Sequence, residues 1–193
     1  MRWPLRSPRG PSEARDRRAE DGRVRAVGAL IAIALALALQ TTLAQFVVGG
    51  STPIDLVLVA VIYVALTSGA ASGMLAGSVA GLIQDALGGT SNIIGIGGLA
   101  KSIVGFVVGA IGQQFIVTAA IPRLFVFMAA TAVHALLFQG LYVALGLRTF
   151  SSPWAAVATQ ALGNTVIGMV AFATVESFPG VVERRRLSRR PKV

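Results

Sequence analysis

The stretch Gly81-Leu-Ile-Gln-Asp85-Ala-Leu-Gly88-Gly89-Thr-Ser-Asn92-Ile-Ile-Gly95-Ile-Gly97-Gly98-Leu99-Ala-Lys101 decides the fold. Asp85 and Lys101 stand in it between long apolar runs, and a Gly-rich turn separates them. A soluble core rarely leaves such charges between apolar segments. A membrane domain does so at a cost, and usually for a reason.

Composition points the same way. The chain has 193 residues, 54% hydrophobic and only 13% charged, with a mean hydropathy of +0.74. A soluble domain carries about 25% charge. Low charge and long apolar runs imply a polytopic membrane protein. There is no Cys and one His, which excludes a disulfide framework and leaves too few ligands for most metal chemistry. No cofactor is expected.

The net charge of +9 sits mostly in the two tails. Residues 1–25 hold eight Arg and four acidic residues, and residues 176–193 hold six Lys/Arg and two Glu. Between them the cations are Lys101, Arg123 and Arg148. Basic tails flanking apolar segments are orientation signals and attract anionic lipid. This distribution argues against nucleic acid as a partner.

The pattern predicts three regions. Residues 1–25 read as a disordered basic cytoplasmic tail, 26–176 as a six-helix transmembrane domain, and 177–193 as a second basic tail. The expected class is all-α. The first span runs from Ala26 to about Val48. Its Ala32–Leu39 run alternates small and large residues, but only a helix satisfies its own backbone in lipid. A cleaved leader would share its basic-then-apolar pattern. The chain that follows is also apolar and calls for no export of a soluble domain, so the segment reads as a retained span. The second span opens at Pro53, with Ser51 or Thr52 as cap and Asp55 in the first turn, and ends near Thr67. The others run over about 69–87, 93–111, 122–147 and 154–175. Six crossings return the chain to its starting side. The cluster Arg184, Arg185 and Arg186 marks the C-terminal end, like the Arg-rich N-terminal end, as cytoplasmic.

Gly69, Gly73, Gly77 and Gly81 recur every four residues, and Asp85 continues the series. Each step turns about 40° past a full circle, so the row is a slowly drifting groove for close helix packing. Gly105 and Gly109 continue a matching row from Lys101. Asp85 and Lys101 lie at similar depth on antiparallel neighbours. The expectation is an ion pair clasping this hairpin, with a proton or ion relay as the functional alternative. His134 lies mid-span and is expected to donate a hydrogen bond between helices, with proton transfer the other possibility. Gln40, Gln45, Gln84, Gln139, Gln160 and Asn164 either line a polar cavity or make scattered interhelical bonds. No Ser/His/Asp set, paired carboxylates or metal-spaced ligands occur at plausible membrane depth, so the reading is non-enzymatic. The fragment Gly95-Ile-Gly97 lacks the strand–turn–helix context of a nucleotide site.

Gly81-Leu-x-x-Asp85, the Gly-rich turn, Gly95-x-x-Gly98-Leu99-x-Lys101 and Gly105-Phe-x-x-Gly109 resemble the MreD family of rod shape-determining membrane proteins. Pro53-x-Asp55 resembles the Pro-Asp-Leu-rich start of that family's second helix, one residue out of register. The resemblance covers about residues 27–175. It implies an inner-membrane scaffold that binds MreC beside the MreB filament, the RodA glycosyltransferase and a class B penicillin-binding protein, and helps maintain rod shape. It also implies a fold similar to the substrate-binding components of energy-coupling-factor vitamin transporters. Such a transport subunit is the second reading. The helix-docking Ala-x-x-x-Ala signature of those components is matched by Ala32/Ala36 and Ala34/Ala38, in a span so rich in Ala that the match says little.

Overall fold

The computed structural model describes residues 11–46, 54–88, 93–114, 119–147, 149–150 and 152–177. Pro53, residues 178–193 with Arg184, Arg185 and Arg186, and residues 1–10 lie outside the described residues. So do the expected caps Ser51 and Thr52, and Arg148. Six helices make up the fold, with no strand among the described residues: α1 Pro11–Phe46, α2 Leu56–Ser68, α3 Ala70–Leu87, α4 Ile96–Gln114, α5 Ala120–Ala144 and α6 Pro153–Ser177. By length and composition α4, α5 and α6 are able to cross a membrane. The apolar part of α1, Ala26–Thr42, and all of α2 are shorter.

The short α2 is the axis of the bundle. Its sequence, LVLVAVIYVALTS, is apolar on every side, which is the pattern of a helix buried all round. It touches each of the other five helices. Leu58, Val59, Ile62 and Ala65 pack with Val104 and Val108 of α4, Phe127 and Ala130 of α5, and Phe172 of α6. Val57, Ala60 and Val61 pack with Ile33 and Ala36 of α1 and Ala80 of α3. At 13 residues α2 is about 20 Å long, short of the ~30 Å hydrocarbon layer. Its neighbours cover its flanks, so the mismatch does not fall on a lipid-facing surface. Large apolar side chains such as Leu30, Leu35, Phe106, Phe125, Leu162 and Val166 stand exposed on the outer helices, as contact with lipid requires.

Two expectations change here. Residues 11–25 are helical rather than disordered, because α1 starts at Pro11. This stretch is rich in Ala, Arg and Glu, all strong helix formers, and Pro suits a first helical position. Its 36 residues span about 54 Å, so the charged half continues beyond the apolar half. The second change is at α2, which begins at Leu56 with Asp55 itself as N-cap. Asp55 therefore lies before the first turn, not within it.

Gly69 is the whole connection between α2 and α3. Its φ of +91° is a left-handed conformation that glycine adopts without strain. The tight turn starts α3 back along α2, and α3 meets α4 along a seam of glycines. A Cβ at Gly73 would collide with the backbone carbonyl of Gly105, and one at Gly77 with that of Lys101. A Cβ at Gly81 would lie 2.5 Å from Gly98 Cα, and one at Gly109 2.5 Å from Ala70 Cα. The two helices therefore touch backbone to backbone. Ser78 and Ser102 bridge the seam, hydroxyl to hydroxyl, at 2.7 Å.

Candidate functional site

The start of α2 lies inside the protein, so its free backbone groups need partners there. Three helices supply them. The Asp55 carboxylate accepts from the Leu58 N–H at 2.9 Å. The Gln40 side chain of α1 accepts from Leu56 N–H at 2.8 Å and donates to the Ile54 carbonyl at 3.0 Å. Asn164 Oδ1 of α6 accepts from Asp55 N–H at 2.9 Å.

The capping carboxylate also anchors a cation. Lys101 Nζ of α4 lies 2.7 Å from Asp55 Oδ2, with both side chains almost wholly buried. Gln84 of α3 donates to Asp55 Oδ1 at 3.4 Å. Lys101 Nζ also meets His134 Nε2 of α5 at 3.4 Å. A charged lysine has only protons to offer, so Nε2 accepts and the proton of a neutral imidazole sits on Nδ1. One polar side chain from each of the six helices, or in the case of Asp55 from the cap of its helix, thus converges on one buried hub: Gln40, Asp55, Gln84, Lys101, His134 and Asn164. Of these six, Gln84 is half-buried and the rest are buried.

The expected Asp85–Lys101 pair is not formed. Asp85 Oδ2 instead accepts from the backbone N–H groups of Gly95, Gly97 and Gly98, at 2.9, 3.0 and 3.2 Å. These are donors at the start of α4, where free N–H groups and the helix dipole both favour an anion. Glycine lets the carboxylate come this close, since a Cβ at Gly97 would collide with Asp85 Oδ1. Lys101 lies about 6 Å further along α4 than Gly97. Its backbone faces the seam while its side chain reaches Asp55 and His134. His134 is therefore joined to a lysine rather than to a backbone or amide group.

A second charged contact joins α5 to α6 near the opposite ends of those helices. Arg123 Nη2 lies 2.8 Å from Glu176 Oε1, and the guanidinium sits 4.2 Å from the centre of the Phe172 ring. Among the described residues no group of three or more His, Cys, Asp or Glu is placed to hold a metal. The hub can fix six helices in one arrangement.

A family model described as rod shape-determining protein MreD matches residues 24–178. The chain belongs to the MreD family. Membership ties it to rod shape determination, as part of the rod-shape machinery and as a membrane protein. No curated protein and no solved structure matches it. The matched span contains all six hub residues and both faces of the glycine seam.

Sequence reasoning singled out Lys101, Asp85 and His134 by their rarity in apolar surroundings, but missed Asp55 as the lysine's partner. The available signal was the set of intramembrane amides, of which Gln40, Gln84 and Asn164 converge on the hub. Gln45's side chain lies outside those described.

Proposed function

We propose that this MreD-family protein is a non-enzymatic scaffold of the cell-wall elongation machinery, docking MreC in the bacterial cytoplasmic membrane. The family match over residues 24–178 carries the reading. The hub adds physical support. It ties the other five helices to the axial α2 and leaves the outer faces of α1 and α6 free to meet another transmembrane helix. MreB, RodA and a class B penicillin-binding protein belong to the same proposed assembly, through MreC or directly. Both termini are cytoplasmic in this proposal, in keeping with the basic tails.

Copurification from membranes that contain both candidate partners tests the reading. Recovery of MreC is the expected result. Recovery of a transporter ATPase without MreC would overturn it in favour of the vitamin-transport reading, as would a vitamin-like molecule retained in the purified protein. The family match favours the scaffold.

A further inference from the structure

The hub is not closed by its own hydrogen bonds. His134 Nδ1, Asn164 Nδ2, Thr131 Oγ1 and Gln84 Oε1 are buried atoms with no hydrogen-bond partner among the described residues. His134 is 3% exposed, and Thr131 and Asn164 are 0% exposed. An unsatisfied buried polar group costs about 1–3 kcal/mol. Each such group in a native fold calls for an explanation, ordered water among them.

Three of these four side chains are already fixed at the ion pair, and two of those three, His134 and Asn164, stand on the packed helices α5 and α6. In each of the three, the other polar atom bonds to the Asp55–Lys101 pair or to Asp55's backbone. The packing of α5 on α6 places the fourth. Arg123 meets Glu176, and Phe127 meets both Phe172 and Gly168. Four residues forward on α5 thus matches four residues back on α6, which brings Thr131 to the level of Gly168 and Asn164.

Their chemistry is also complementary. His134 Nδ1–H and Asn164 Nδ2 are donors. Gln84 Oε1 is an acceptor, and the Thr131 hydroxyl serves as either. Water accepts two hydrogen bonds and donates two, and buried water typically makes about three. We propose that the α5–α6 side of the hub is a site for internal water, accepting from His134 Nδ1–H and Asn164 Nδ2 and donating to the Thr131 hydroxyl, beside the Asp55–Lys101 pair. Bound water there gives these three orphaned groups a partner beside the ion pair.

The chain's only histidine makes the test direct, because His134 gives the only imidazole signals. The full chain, labelled with 15N-histidine, is reconstituted in bilayers of perdeuterated lipid. Solid-state NMR then reads the tautomer and the polarisation passed from water protons to each ring nitrogen. The expected result is a neutral ring protonated at Nδ1, with a water cross-peak at Nδ1. A ring protonated at Nε2, a doubly protonated ring, or an Nδ1 signal without transfer from water would each overturn the proposal. The measurement is made on the native sequence, so no variant has to fold.

Discussion

α4 builds two buried contacts of opposite kind. Along one face it meets α3 through a seam where side chains have been removed, and from the same segment Lys101 reaches into a hub where charges and amides have been added. The seam works because Gly73, Gly77, Gly81, Gly98, Gly105 and Gly109 let two backbones touch. In lipid, apolar side chains gain little by leaving their surroundings, so close packing drives helix association. The hub works because each charge there finds a partner. The seam is indifferent to chemistry but intolerant of size. The hub tolerates some change of size but not the loss of one partner.

The largest effect is expected at the seam. In Gly77→Leu the new side chain meets the Lys101 backbone, and no rotamer change in a neighbour relieves that. Overpacking a core that can yield costs about 1–3 kcal/mol; here the obstacle is rigid backbone, so the two helices cannot stay in contact and the loss exceeds that of any one side-chain partner. The expected outcome is a large fall in folded protein recovered from membranes. Gly140→Leu on α5, where a Cβ meets nothing within 4 Å, is expected to leave the yield near that of the native chain. Normal yield of Gly77→Leu with selective loss of partner binding would turn the seam from internal packing into a docking surface.

Next comes the hub. Lys101→Met leaves the buried Asp55 carboxylate without its counter-charge, at a cost of about 3–5 kcal/mol. Adding Asp55→Asn, which keeps an N-capping side chain, is expected to recover part of that loss. Denaturant midpoints of the three variants in micelles supply the double-mutant cycle. Simple additivity of the two substitutions would break the Asp55–Lys101 assignment.

Asp85→Asn separates the two contacts more finely. If Asp85 held Lys101, neutralising it would cost as much as Lys101→Met. Because its carboxylate instead caps α4, Asn keeps an acceptor oxygen for the Gly95, Gly97 and Gly98 donors and loses only the charge. The expected loss is about 1 kcal/mol. A loss equal to that of Lys101→Met would restore the hairpin clasp.

These variants also mark what the sequence could reveal. The six helices were legible because long apolar runs in a chain of low charge have few alternatives to the helix. The glycine row was legible because its spacing of four residues is a property of one helix. The partner of Lys101 was not legible. It depends on how α4 is rotated against α2, and Asp55 lies far away in sequence with a sufficient local role as a cap. Asp85 shares a hairpin with Lys101, yet its donors are backbone groups of glycines, which carry no side-chain signal. The start of α1 differs from its expected form for a related reason: charge and Pro are compatible with a disordered tail, while Ala, Arg and Glu favour a helix that the apolar span can extend.

The smallest effect is expected at the Arg123–Glu176 contact, which bears on whether burial or charge decides the worth of a pair. Glu176's side chain is 32% exposed and Arg123's 5%. Glu176→Gln removes the more solvated partner and leaves the guanidinium against the Phe172 ring. Partly exposed ion pairs contribute about 0–1 kcal/mol, and the cation–π contact persists. A shift of the denaturant midpoint well below that of Asp85→Asn is expected, and it should shrink further in high salt as exposed charges are screened. A salt-independent loss as large as that of Lys101→Met would mean that this pair is as shielded from bulk solvent as the hub. The contrast within α5, between a hub that needs its charges and a helix start that merely uses them, would then disappear.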